Sequence, residues 1–393
     1  MERSELESES ETSRNASAVK VSLALTLAFG TATCVFACGA EPSASELESV
    51  SAPLSVSTAI STLEELKRMS GTGNYRLIAN IDASEGLEPI DFGGSFDGQD
   101  FTIQNLNLDR SDESQVGLFG TLDGATIRNL RLTNVAVTGR SQVGALAGRS
   151  VDSSIEYVRV EGTVRSSTGA QHGDVGLLVG KLVGGSVSHC SAKGRIRGFA
   201  TRVGGLIGSA VESRLRGPRV FESYSSIDLV PTTSSTRLSV IAGGLIGLAH
   251  SAVVHDVYSV GRVVGRSAGA DQVVGGLIGQ AGGNSSAPTQ LFGALCRVNV
   301  TDQAGAWAGC YGSIDSHTNA VNLLWDTDID QDGEAPELGQ SGYDAPTLQA
   351  PREVRGGVFA TLDPAWDDRA WVAGTSEQYH TLTRVAGLDV QPR

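Results

Sequence analysis

Residues 274–279 read VGGLIG, and the same six-residue phrase recurs along most of the chain. Anchored on its last glycine, it reads QVGLFG to Gly120, VGALAG to Gly148, VGLLVG to Gly180, VGGLIG to Gly208, AGGLIG to Gly247, VGGLIG to Gly279 and, in a worn form, AGAWAG to Gly309. Successive copies lie 28, 32, 28, 39, 32 and 30 residues apart. A period of this length marks a stacked repeat. One unit cannot bury its apolar face alone and takes its core and backbone hydrogen bonds from the units above and below.

Outward from each phrase the plan is constant: a small turn, then a β-branched run that ends on another glycine. Examples are ATIRNLRLTNVAVTG to Gly139, SSIEYVRVEG to Gly162, GSVSHCSAKG to Gly194 and AVVHDVYSVG to Gly261. Each unit is expected to supply two or three strands of roughly three to six residues, punctuated by glycine. Proline placement gives an independent check, because a strand bonded on both sides cannot spare its N–H. Between Ile90 and Ala287 the prolines are Pro218 and Pro231, both inside the overlong interval from Gly208 to Gly247. Roughly ten extra residues there predict a loop insertion. The fold expected is all-β: a right-handed parallel β-helix, or β-solenoid, with a short N-terminal capping helix and a C-terminal capping segment. Val, Ile and Gly at this density oppose a helical solenoid, and a propeller would want a longer period and aromatic blade markers.

Before the repeats, Val21–Ala32 is apolar, too short to span a bilayer and suited to the h-region of an export signal. With Val35-Phe36-Ala37-Cys38-Gly39 it resembles a bacterial lipoprotein signal, which implies acylation of Cys38 and, with Gly39 and Ala40 following, outer-membrane sorting. Residues 1–37 are therefore read as an export signal, and 38–60, rich in Ser, Ala, Glu and Pro, as a flexible spacer. Ser61 and Glu64 predict a capping box and a helix over about 62–69. Phe96-Asp97-Gly98-Gln99 is read as a tight turn between two of the first strands. The repeats are assigned to 61–313 and a cap to 314–393, where three of the four tryptophans lie, Trp325, Trp366 and Trp371. Bulky rings at an open sheet end suit a lid against edge pairing.

The composition narrows the partners. In 393 residues there are 49 glycines and only 5% aromatics, and 44 acidic against 30 basic residues give a formal charge of -14. A chain so acidic is a poor partner for nucleic acid or for an anionic lipid surface. The five cysteines, Cys34, Cys38, Cys190, Cys296 and Cys310, show no zinc spacing. A Cys296–Cys310 disulfide and buried free thiols both remain open.

The repeated phrase followed by a run such as VHDVYSVG to Gly261 resembles the GLUG repeat of bacterial surface and adhesin-like proteins, also found as an accessory region in some large secreted peptidases. The flanks PIDFGGSFDGQDFTIQNLNL (89–108), LLWDTDIDQDGE (323–334), SGYDAPTLQ (341–349) and TLDPAWDDRAWV (361–372) are similar to those that accompany such repeats. The resemblance implies a β-helical, extracellular, mainly adhesive or structural module.

Candidate chemistry is sparse. Asp326, Asp328, Asp330, Asp332 and Glu334, around Gly333, form the dense carboxylate cluster. DIDQDGE from Asp328 matches the first half of a calcium loop, in which alternate oxygens converge, but Gly339 stands where the bidentate Glu would be. The alternatives are calcium and a solvated acidic turn, and no other cofactor is expected. The six histidines, His172, His189, His250, His255, His317 and His380, are dispersed, and no nucleophile sits in a recognisable elbow. The arginines look scattered, as in Arg195 with Arg197 and Arg262 with Arg266, and acids such as Asp256 and Asp271 cannot be placed on one face without rung register. The expectation is a non-catalytic, lipid-anchored module at the outer membrane or cell surface. It would be a monomer that binds a surface protein or glycan, touches the membrane through its anchor alone and binds no nucleic acid. The alternative is a polysaccharide-active β-helix enzyme, a lyase or hydrolase with paired acids across a groove.

Overall fold

The computed structural model describes residues 57 to 326, except 168–172, 234–239, 265, 268–271 and 302–309, together with the short strands Arg352–Val354, Trp371–Val372 and Thr381–Leu382. Cys38, the acidic stretch from Asp328 to Glu334 and Gly309 lie outside the described residues. The described part is a parallel β-solenoid.

Two stacked sheets form it. The smaller has eight strands, running in order from Ile90–Phe92 through Phe119–Asp123, Ala147–Val151, Val179–Val183, Ile207–Val211, Ile246–His250 and Ile278–Gly282 to Tyr311–Ile314. The larger is built on long strands, among them Thr126–Val143, Ser154–Ser166, Ser191–Phe199, Arg219–Thr233, Val253–Val264 and Thr289–Thr301. Neighbouring rungs pair in parallel, for example Val179 with Ile207 and Ala192 with Ser225. Strands of up to 18 residues replace the short ones expected, because the ladder bonding continues through the corners.

Each repeated phrase is a corner between the two sheets. In the copy ending at Gly208, Arg202–Gly204 closes a strand of the large sheet, Gly205 and Leu206 bend, and Ile207–Val211 opens a strand of the small one. Hydrogen bonds run on through the bend: Leu206 N donates to Leu245 O at 2.8 Å, and Leu245 N to Leu277 O at 2.8 Å. Leu206, Leu245 and Leu277 stack with Ile207, Ile246 and Ile278 in one core, none more than 1% exposed. The phrase's first glycine allows the tightest approach. A Cβ on Gly204 would lie 1.9 Å from Ile207 O and 2.6 Å from Gly247 N.

A second corner is made by single residues in the left-handed region: Asn129, Tyr157, His189, Glu222 and Asp256, with φ of 53, 54, 52, 48 and 53°. They occupy one column of the ladder, since Glu156 pairs with Ser188, Ser188 with Phe221 and Phe221 with His255.

Several boundaries differ from expectation. Thr58–Ile60 pairs with Tyr75–Leu77 and buries Ile60, so the solenoid starts inside the region read as spacer. At the other end, Thr318–Asp326 pairs with the rung before it, which carries the solenoid into the region assigned to the cap. The helix is Leu63–Lys67, capped by Thr62 with Glu65 and not by Ser61 with Glu64. Thr62 is extended and accepts from Glu65 N, while Ser61 N and Oγ donate to the Glu65 carboxylate. Phe96 and Asp97 belong to the strand Ser95–Asp97, and the turn begins only at Gly98. The last repeat is also offset. Ile278 pairs with Tyr311, which puts Gly312, not Gly309, in the place held by Gly279.

The 39-residue interval holds two inserts and not one. An exposed turn spans 212–218 with Leu215 at its tip, and the second insert falls at 234–239, outside the described residues. Pro231 lies within a strand. It pairs with Gly198, so it is not in the loop that its position in the overlong interval suggested.

Candidate functional site

In the strands after the left-handed corner, alternate residues point inward and form a continuous core, as Leu132, Val160, Ala192, Ser225 and Ser259 show. The residues between them face outward, and register sorts them into columns. One column runs Arg131, Arg159, Ser191, Tyr224 and Tyr258; the next runs Glu161, Lys193 and Ser226. A third runs Thr163, Arg195, Asp228 and Arg262, and a fourth Arg165, Arg197 and Val230. The first of these columns is almost buried from Arg159 to Tyr258, and the other three carry five basic side chains, Arg165, Lys193, Arg195, Arg197 and Arg262, against the two acids Glu161 and Asp228, although the chain as a whole is strongly acidic. The arginines that look scattered in sequence are thus brought together.

At the centre, Arg262 donates to Asp228 Oδ1 from Nε at 3.2 Å and from Nη2 at 2.9 Å. Arg195 Nε and Arg197 Nη2 each lie 3.8 Å from Asp228 Oδ2, an electrostatic contact beyond hydrogen-bond length. The Arg195, Arg197 and Arg262 side chains are 64%, 49% and 54% exposed, and Asp228 is 26% exposed. Higher on the face Arg159 is almost buried. Burial, with Arg131 beside it, lowers its pKa from the usual arginine value.

Before the corner, the outward edge carries a stack of rings. Phe221 lies against His255 at 5.1 Å and 8°, and His255 against Phe292 at 4.9 Å and 1°. Tyr157 stacks on His189 at 4.4 Å, and the Arg219 guanidinium sits 5.5 Å from the Phe221 ring centre. His189 Nε2 lies 2.8 Å from Glu222, and His255 Nδ1 lies 2.9 Å from Asp256. Stacked on each other, these rings present edges outward and commit their faces to the solenoid. Their role is to hold successive rungs in register.

Three further features complete the site survey. Asp174 is 1% exposed, and burial raises its pKa although Arg202 at 2.5 Å and Lys181 pull it down. A shallow cleft of about 520 Å³ opens between Lys67, Glu85, Leu87 and the Glu88–Arg110 ion pair. Cys190, Cys296 and Cys310 are buried free thiols, which answers the disulfide question for Cys296 and Cys310.

Among the described residues no three His, Cys, Asp or Glu side chains converge as a metal site would need. Of the acidic cluster only the backbone of Asp326 is described, pairing with Val354 at the end of its strand. Asp256 is engaged by His255, and Asp271 lies outside the described residues, so no paired acids of the kind a polysaccharide enzyme needs are brought together there. The glycines Gly120, Gly148, Gly180, Gly208, Gly247 and Gly279 each take the second position of a small-sheet strand, just after the sheet-to-sheet corner.

The family described as M26 IgA1-specific metallo-endopeptidase N-terminal region matches residues 63–162, and the GLUG motif matches residues 171–197. The chain carries the GLUG motif. Halomucin from Haloquadratum walsbyi is 40% identical over 129 residues, 28% of this chain and 1% of that protein. An immunoglobulin A1 protease from Streptococcus pneumoniae is 26% identical over 264 residues, 62% of this chain and 12% of the protease. One from Streptococcus sanguinis is 26% identical over 294 residues, 70% of this chain and 15% of the protease. Among solved structures, an IgA1 protease aligns at 21% identity with a TM-score of 0.46, covering 69% of this chain and 22% of that one. A candidate immunoglobulin A1 protease from Bacteroides ovatus aligns at 16% identity with a TM-score of 0.47, covering 83% of this chain and 92% of that one. The chain thus spans under a sixth of the curated proteases it matches.

These matches overturn the expectation that the chain is no enzyme, since they point to a possible enzyme family. The relatives are named as proteases, and the matching family is the N-terminal region of a metallo-endopeptidase. The stretch that carries the likeness is solenoid, and a solenoid's repeats announce stacking and no chemistry. That is why the repeats suggest an accessory region of secreted peptidases and name no catalytic residue. Among the described residues there is no donor set for a peptidase metal.

Proposed function

We propose that the chain is an exported β-solenoid that acts as a recognition module, holding a protein or glycan ligand on its outward face, in a protein of the immunoglobulin A1 protease type. The observation that carries this reading is the long, rigid outward face, whose charge opposes that of the chain around it. The likeness of residues 63–162 to the N-terminal region of an IgA1-specific endopeptidase supports it and makes immunoglobulin A1 the first protein ligand to try. Acylation of Cys38 would tether the module at the outer membrane or cell surface, with residues after it as spacer. The module works as a monomer and takes no nucleic acid, on grounds of net charge.

The test is retention of ligands from a glycan array and of immunoglobulin A1 by the purified chain, beside the same chain heat-unfolded. Selective retention by the folded chain is expected. A folded chain that retains neither class sinks the reading in favour of a scaffold. Anchoring is tested separately: Cys38→Ala should leave the membrane fraction, and a variant that stays there as the parent does removes the lipid tether from the account.

A further inference from the structure

The outward face concentrates positive charge in a chain of formal charge -14. We infer that the cluster of Arg195, Arg197 and Arg262 around Asp228 binds a carboxylate-bearing polysaccharide lying along the stack of rungs. This names the ligand class of the recognition face and rests on that reading.

Asp228 shows what the cluster takes. It is a carboxylate already seated among three guanidiniums, yet only Arg262 hydrogen-bonds it, while Arg195 and Arg197 stand off at 3.8 Å with about half or more of each side chain exposed. Three planar forks therefore surround one carboxylate, more donors than its two oxygens accept. A guanidinium pairs with a carboxylate through two parallel bonds, so the surplus is matched by further carboxylates from outside.

Spacing favours a polymer over a single small anion. Arg195 and Arg262 share a column two rungs apart, about 10 Å, and Arg195 and Arg197 stand two residues apart along a strand, about 7 Å. Arg165 extends the charge along the Arg197 column, and Lys193 stands in the next column on the same strand as Arg195.

Other partners fit less well. These strands lie mid-sheet, with a rung paired on each side, so an extended peptide finds no edge to add to. The neighbouring outward positions include the hydroxyls of Thr163 and Ser226, suited to sugar, and a single apolar side chain, Val230, which is too little for a peptide anchor.

The test is calorimetric titration of the full chain with polygalacturonate fragments, with neutral dextran, dextran sulfate and poly-L-glutamate as comparators. Polygalacturonate should bind saturably and more weakly as salt rises, and dextran not at all. The Arg195→Gln/Arg197→Gln variant should bind about tenfold more weakly or worse. Arg197→Lys, which keeps the charge and loses the fork, should fall between it and the parent. Asp228→Asn, which removes the resident competitor, should bind severalfold more tightly. If the arginines serve only to hold Asp228, both the double variant and Asp228→Asn will melt lower with affinity unchanged, and the inference fails. Equal binding of dextran sulfate overturns the carboxylate assignment, and equal binding of poly-L-glutamate overturns the glycan. A folded parent that binds no polygalacturonate overturns the inference alone, since retention of immunoglobulin A1 or of another glycan still decides the recognition reading.

Discussion

Gly208 packs its α-carbon against the backbone amide of Val175, so closely that a Cβ there would lie 2.4 Å from the Val175 nitrogen and 2.5 Å from Gly180 O. Both obstacles are backbone, locked in place by ladder bonds on neighbouring rungs. Gly208→Ala should therefore destabilise the fold by at least about 3 kcal/mol. Urea unfolding followed by circular dichroism measures it, with Arg214→Ala in the exposed turn as a control expected within about 0.5 kcal/mol of the parent. A Gly208→Ala protein as stable as the control would show that the corner yields.

Asp97 predicts an acid dependence. Burial raises its carboxyl, but hydrogen bonds from Asn129 and Gln99 and the charge of Arg128 outweigh burial and leave it below the ordinary aspartate value of 3.8. Because the folded carboxylate is the more acidic, its contribution is complete above the unfolded value near 3.8 and is lost as pH falls through the lower folded one. Asp97→Asn should be less stable than the parent at pH 6, and the gap should shrink toward pH 2. Urea midpoints for the pair across that range provide the check, and a gap that stays constant contradicts the assignment.

His255 is expected to matter as a stacked ring. It is sandwiched between Phe221 and Phe292 and hydrogen-bonded to Asp256. His255→Ala should cost about 1–3 kcal/mol from two lost stacks, while His255→Phe should recover most of it. Thermal melts of the two variants distinguish stacking from the Asp256 bond, since only the second explanation leaves both equally impaired.

Cys190 is fully buried, and burial pushes its thiol up to about 12. At pH 8 roughly one molecule in ten thousand carries the thiolate that an alkylating reagent attacks. Iodoacetamide should leave the Cys190 peptide unmodified in the folded chain and label it fully in denaturant, as read by peptide mass. Prompt labelling of the native chain would mean that this rung opens readily.

The fold was open to reading because its instructions are local and repeated. The phrase around Gly148, Gly180, Gly208, Gly247 and Gly279 states the period, and Val, Ile and Leu at alternate places state the strands. Boundaries slipped where one residue competes with its neighbour, as Thr62 does with Ser61 for the cap, or where a worn copy carries two glycines, as Gly309 and Gly312 do.

The sequence by itself thus determined a stacked all-β solenoid, because period, glycine spacing and proline placement act within one rung. Only the tertiary structure decided which outward residues meet. Arg195, Asp228 and Arg262 share a column although 33 and 34 residues separate them, while the phrase interval across the same region is 39. The register gains five residues between Val211 and Arg219 and six more between Thr232 and Ile241, so position along the chain does not convert into position on the face. Ladder hydrogen bonds set the register strand by strand. That register gathers arginines from two rungs around an aspartate on the rung between them.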